Sequence, residues 1–203
     1  MVEPVQATCT AFAGSRRIAS GNLTSVAVKV KNAVDRDERA AFLIFEDATS
    51  ELVEIDTRGT VEQVLRLVAV RQRKELPAVD ADSSSNAAPR GPGRPKLGVV
   101  AREVTLLPRH WEWLSTQPGG ASVALRKLVE EARRANAGKD RVRLAQESCY
   151  RFMVAMAGDR PGFEAATRAL FAGDRVRFEE QTARWPADVR DHAKKLAAAA
   201  FAD

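Results

Sequence analysis

Thr8-Cys9-Thr10-Ala11-Phe12-Ala13-Gly14-Ser15-Arg16-Arg17-Ile18-Ala19-Ser20 is the stretch that decides the fold class. Two β-like runs, Thr8–Ala13 and Arg16–Ser20, flank Gly14-Ser15, and a glycine-bearing pair between such runs is a hairpin signal. Directly downstream the period changes. Leu23, Val26, Ala27, Val30, Ala33 and Val34 recur at helical spacing, with Asn22 or Thr24 placed to cap the helix. Two further β-rich runs follow, Ala41–Phe45 and Leu52–Ile55, joined by Glu46-Asp47-Ala48-Thr49-Ser50-Glu51. Thr60-Val61-Glu62-Gln63 is a capping box, and Val61, Val64, Leu65 and Val68 mark one face of the helix it opens. The order ββαββα over residues 1–76 predicts an α+β unit: an antiparallel sheet with helices on one side.

Beyond that unit the composition shifts. Residues 77–96 hold Pro77, Ser83-Ser84-Ser85-Asn86, Pro89, Gly91-Pro92-Gly93 and Pro95, a mixture that cannot bury a core and reads as a flexible linker. Residues 97–138 read as a short strand followed by two helices, and residues 139–203 as all-helical. Gly158-Asp159 and Gly173-Asp174 punctuate the last part, and Pro186 opens its final helix. Apolar stripes run through Leu144, Cys149, Phe152, Met153 and Met156, then through Phe163, Ala166, Leu170 and Phe171, then through Val176 and Phe178. Val189, His192 and Leu196 follow.

The 203 residues are 45% hydrophobic and 29% charged, which suits one or two globular domains and excludes wholesale disorder. No apolar run reaches the roughly 18 residues of a membrane span, so no membrane partner is expected. The first residues lack the basic start and apolar core of a secretory signal, and Cys9 and Cys149 do not form a disulfide framework. A cytoplasmic protein with two reduced, buried cysteines is the expectation.

The net charge of +5 is unevenly placed. Residues 1–76 carry 11 basic and 11 acidic side chains, residues 144–203 carry 9 and 9, and residues 77–143 carry 12 and 7. The entire surplus therefore lies in the middle third. A cationic segment between neutral neighbours fits a polyanion-binding surface; it also fits a solvated linker and an ordinary Lys/Arg helix face.

Three resemblances bear on this segment. Gly93-Arg94-Pro95-Lys96, preceded by Arg90-Gly91-Pro92, resembles an AT-hook, in which arginine enters the narrow minor groove of A·T-rich DNA. The hook usually has arginine on both sides of the glycine, and here Pro92 takes one of those places. Residues 101–136 resemble a ribbon–helix–helix domain. The match runs through Arg102-Glu103-Val104-Thr105-Leu106-Leu107-Pro108, Arg109–Gln117, Pro118-Gly119-Gly120 and Ser122–Asn136. That resemblance implies a homodimer whose paired strands enter the major groove. It puts Leu106, Val104 and Arg102 on the base-facing side, where the family usually has polar readers. The whole chain resembles an uncharacterised bacterial family built on a domain of unknown function. That likeness rests on Phe45-Glu46-Asp47-Ala48-Thr49, Asp56-Thr57-Arg58-Gly59, Gly93-Arg94-Pro95-Lys96 and Leu106–Trp113.

Catalytic patterns are scarce. His110 and His192 stand alone, and no Cys-x-x-Cys, His-x-x-x-His, phosphate loop or nucleophile elbow occurs. No cofactor, no metal and no enzymatic activity are expected; an enzyme would need a site that joins Cys149 or a histidine to a distant carboxylate. Trp111 and Trp113 point to opposite sides of a helix, so that one is exposed. The acidic run of Glu46, Asp47, Glu51, Glu54 and Asp56 is either a cation site, a docking surface for the basic linker, or a solvated turn. The leading expectation is a dimeric DNA-binding regulator or nucleoid-associated factor. Arg94 would read the minor groove. Arg90, Lys96, Arg102, Arg109, Arg126 and Lys127 would meet phosphates. The alternative is a protein-interaction module, antitoxin-like or adaptor-like, using the apolar Val104/Leu106 strand at a sheet edge.

Overall fold

Strand β1 (Thr8–Ala13) is buried at every residue but its first, the pattern of a strand with neighbours on both edges and cover on both faces. The computed structural model describes residues 8–36, 40–75 and 102–201. In it β1 is the middle of a three-stranded antiparallel sheet, between β2 (Arg16–Asn22) and β3 (Phe42–Glu46). Helix α1 (Leu23–Asp35) follows β2, and α2 (Val61–Glu75) follows β3. Next come α3 (Pro108–Ser115) and the long α4 (Gly120–Ala157). Helices α5 (Phe163–Ala172), α6 (Arg175–Thr182) and α7 (Ala187–Ala197) lead to a closing 3-10 turn at Ala198–Phe201.

The hairpin forms where the sequence placed it. Gly14 has φ 55°, the left-handed conformation that a two-residue turn needs. Asn22 is the helix cap, its Oδ1 accepting the Ser25 N–H at 2.8 Å. The Thr60 box is closed both ways: Thr60 N–H donates to Gln63 Oε1 at 2.9 Å, and Gln63 N–H to Thr60 Oγ1 at 3.4 Å. Replacing Thr60 by Ala removes one acceptor and should lower stability by about 1 kcal/mol in urea unfolding followed by circular dichroism.

The chain divides into two compact units. One joins the N-terminal residues up to α2 to the residues from Gly138 onward, and the other is the stretch between them. In the first unit both faces of the sheet are covered. Cys9, Ala11, Ala19 and Ile44 pack with Leu23, Val26, Ala27 and Val30 of α1 and Val64 and Val68 of α2. Phe12 and Phe45 point the other way. They pack with Cys149, Phe152 and Met153 of α4, Leu170 of α5, Phe178 of α6 and Val189, Ala193 and Ala197 of α7. The one-sided helix layer read from the sequence is therefore half of the arrangement. Alternation along β1 and β3 supplies two apolar faces, and helices separated by over a hundred residues cover the second. The expected division after residue 138 falls inside α4. Gly138 costs a helix about 1 kcal/mol, and a Cβ there would meet nothing within 4 Å.

One expected strand is corrected, and another makes no ladder within the described chain. Leu52–Ile55 is reduced to one bridge, Leu52 opposite Phe45. Ser50, at φ 55°, turns the chain beside β3, and Val53 N–H still reaches Ile44 O at 2.8 Å. Val53 and Ile55 then dip into the α1/α2 layer instead of continuing a ladder. Residues 102–107 belong to no ladder among the described residues. An extended segment is a strand only where a second strand meets it.

The sheet edges are guarded. Arg17 N–H on β2 donates to Asp188 Oδ2 of α7 at 2.8 Å, and residues 51–53 cover β3. Gly173, at φ 72°, ends α5, and Asp174 caps α6 by accepting the Arg177 N–H at 3.0 Å.

Candidate nucleic-acid interface

Residues 102–137 are the described part of the second unit. Leu107 is extended at φ −67°, ψ 149°, and Pro108 opens α3, where its missing N–H costs nothing and its φ already suits a helix. The turn after α3 is built from hydroxyls and glycine. Thr116 Oγ1 donates to Trp113 O at 2.7 Å, and Gly119 sits at φ 86°, where a Cβ would come within 3.2 Å of the Val123 side chain. Helix α4 then starts at Gly120. The order is a segment without regular secondary structure that ends in extended Leu107, then a short helix, a glycine turn and a helix.

Its cations are outward. Arg102, Arg109, Arg126 and Lys127 are all exposed. Arg126 folds back on its own helix, Nε donating to Ser122 O at 3.0 Å. None of the four makes an ion pair with a carboxylate among the described residues. Arg133 and Arg134 share Glu130, at 3.0 and 3.2 Å. Such exposed pairs are worth little and exchange easily for another anion. Arg102 lies on the segment before α3, Arg109 in the first turn of α3, and Arg126 and Lys127 near the start of α4. Arg90, Arg94 and Lys96 lie outside the described residues, as does the linker.

Apolar side chains on the same unit are equally uncovered. Trp111 and Trp113 are 43% and 50% exposed, so both rings are open where one was expected. Val104, Leu107, Leu128 and Val129 are exposed as well, while Leu114 and Ala124 are buried. Along the Leu125/Leu128/Val129/Ala132 stripe of α4, Leu125 is half-buried and the other three are exposed.

The other candidate residues lie in the first unit and are mostly accounted for. The acidic run is a tied-down turn. Thr10 Oγ1 donates to Asp47 Oδ1 at 2.6 Å, and Lys195 reaches Asp47 Oδ2 at 3.4 Å. Burial pushes the Asp47 carboxyl up, and Thr10, Lys195 and Thr8 outweigh it, so its pKa ends below the ordinary value. Thr49 Oγ1 donates to Glu46 Oε2 at 2.5 Å, and Arg151 donates to Thr49 O. Asp56, exposed, is gripped by Arg58 through two side-chain bonds at 2.9 and 2.7 Å, which hold its carboxyl at about 2. Among the described residues no three His, Cys, Asp or Glu side chains are gathered to hold a metal ion. Both cysteines are buried and neither is in a disulfide, and burial pushes the Cys149 thiol up to about 12, so it carries no thiolate near neutral pH. The feature that sequence reasoning missed is the ring of His192, sealed among phenylalanines; helical spacing marked it as one residue of the α7 stripe and nothing more.

Fold and surface together define an α+β protein, a covered three-stranded sheet with a second, cationic helical unit. Residues 8–197 match the family model described as "Uncharacterized protein conserved in bacteria (DUF2239)", and the chain belongs to that family. No curated protein and no solved structure matches it. Among the described residues no helix is long and apolar enough to cross a membrane.

Proposed function

We propose that this protein is a dimeric DNA-binding factor, a regulator or nucleoid-associated protein, that grips duplex DNA through residues 77–137. One observation carries the reading. Arg102, Arg109, Arg126 and Lys127 are exposed, without acidic partners among the described residues, on the unit that also leaves Trp111, Trp113, Leu128 and Val129 exposed. Uncovered apolar surface calls for a second chain, and unpaired cations call for a polyanion. A ribbon–helix–helix arrangement meets both needs, because pairing residues 102–107 of two chains would bury apolar side chains and set two sets of cations on one side. The linker, with its degenerate hook, would add Arg94 in an A·T-rich minor groove, with Arg90 and Lys96 on phosphates.

The test is a salt-titrated anisotropy assay on A·T-rich and G·C-rich duplexes, with the full chain and a version lacking residues 77–96. A dimer covering about 6–8 phosphates should lose affinity as salt to the power of about −5 to −7. The shortened version should lose its A·T preference and keep part of that slope. A full-length dimer that binds neither duplex at 50 mM salt removes the reading. The same surface would then be a protein-docking face.

A further inference from the structure

His192 stands on α7 with 1% of its surface exposed. Its ring centre is 4.6 Å from that of Phe152 on α4 and 5.4 Å from that of Phe12 on β1. Neither ring nitrogen has a hydrogen-bond partner among the described residues. A neutral imidazole carries one N–H donor and one acceptor, so the core holds two orphaned polar atoms where leucine or phenylalanine would leave none. This is also where α7 meets the sheet. Val189, Ala193 and Ala197 complete the contact, and two polar ties flank it: Arg17 N–H to Asp188 at 2.8 Å, and Lys195 to Asp47 at 3.4 Å.

We propose that His192 is a proton-operated latch: neutral, it keeps α7 seated on the Phe12/Phe45 face of the sheet, and protonated, it releases α7. An imidazolium would place a full charge and two N–H donors against benzene rings and methyl groups. β1 and α4 offer it Phe12 and Phe152, which bring no carboxylate. The charged groups that face it are Lys195 on α7, Arg17 on β2 and Asp47 in the turn after β3. Two of the three repel it, and Asp47 is already taken by Thr10 and Lys195.

Burial, with Lys195 and Arg17 against Asp47, lowers the His192 pKa from 6.5 to about 4. A group depressed in the packed state takes up its proton in the open state first. The latch is therefore fully closed above 6.5 and loosens as pH falls toward 4. Between pH 7 and pH 5 the α7 opening equilibrium shifts by about twentyfold. The opening is local, because the cluster of α1 and α2 on the other face contains no α7 residue.

Hydrogen exchange on the full chain at pH 7 and pH 5, corrected for intrinsic rates, tests this. Peptides over residues 187–201 should open about twentyfold more at pH 5, peptides over residues 23–35 should not, and His192→Leu should abolish the response. Equal protection of residues 187–201 at both pH values overturns the proposal, as does an unchanged response in His192→Leu or a parallel loss in α1. Should that variant fail to fold, the wild-type chain decides by proton resonance, since its only other histidine is the exposed His110. A His192 ring that titrates while α7 stays protected refutes the latch.

Discussion

Phe152→Ala should lower the unfolding free energy by about 3–5 kcal/mol, a large share of the roughly 5–15 kcal/mol that holds a typical domain together. The ring is fully buried, with its centre 5.1 Å from Phe45, 5.5 Å from Phe12 and 4.6 Å from His192. It therefore joins α4 to two strands and to α7 at a single point. Truncation forfeits the burial of the ring and leaves a cavity that three separate elements line, and neighbours anchored on different elements cannot all collapse into it. For a chain of this size the midpoint of thermal unfolding should fall by roughly 6–20 °C. Leu144→Ala, on the same helix but 54% exposed, should change stability by less than about 0.5 kcal/mol. Urea unfolding of both variants separates the packed half of α4 from its surface. A loss below about 1 kcal/mol for Phe152→Ala would contradict the packing of that sheet face.

The second large effect concerns binding. Replacing Arg102, Arg109, Arg126 and Lys127 together by Ala should remove most of the salt dependence of DNA binding. Affinity should weaken by roughly 10³-fold near 100 mM salt, because a dimer would lose eight of the charges that displace counterions. All four side chains are exposed, so the fold should survive, and far-UV circular dichroism should be unchanged. The matched control replaces Arg160, Arg168, Arg175 and Arg177, which are also exposed but lie in the first unit. It lowers the net charge by the same amount. Equal losses in the two quadruple variants would mean that overall charge, and no particular surface, governs binding.

The parts of this fold that were legible are those governed by neighbours in sequence. Gly14-Ser15 turns a hairpin, Asn22 caps α1 and the Thr60/Gln63 box caps α2, because a turn or a cap is chemistry within four residues. Of the Leu144/Cys149/Phe152/Met153/Met156 stripe, every member but Leu144 is buried as its period implies. The same local reading placed a segment boundary after residue 138, beside the point where the compact units divide, and α4 runs unbroken across it. It also gave Leu52–Ile55 a full strand, although the turn at Ser50 leaves only one bridge. At the candidate interface the location of the surplus charge was legible by counting. Which of those cations lack a carboxylate was not, since Glu130 takes up Arg133 and Arg134 only once the helix brings them within reach.

From the residues alone come the α+β class, the caps and turns, and the stretch where positive charge accumulates, since each is set by chain chemistry over a few positions. Folding in three dimensions decided that helices over a hundred residues away would cover the second face of the sheet. It also decided that Asp47 would be consumed by Thr10 and Lys195, and that an unremarkable histidine would be shut among phenylalanines with no hydrogen-bond partner among the described residues. Burial and pairing belong to groups brought together from distant parts of the chain, and neither periodicity nor composition records who those neighbours are.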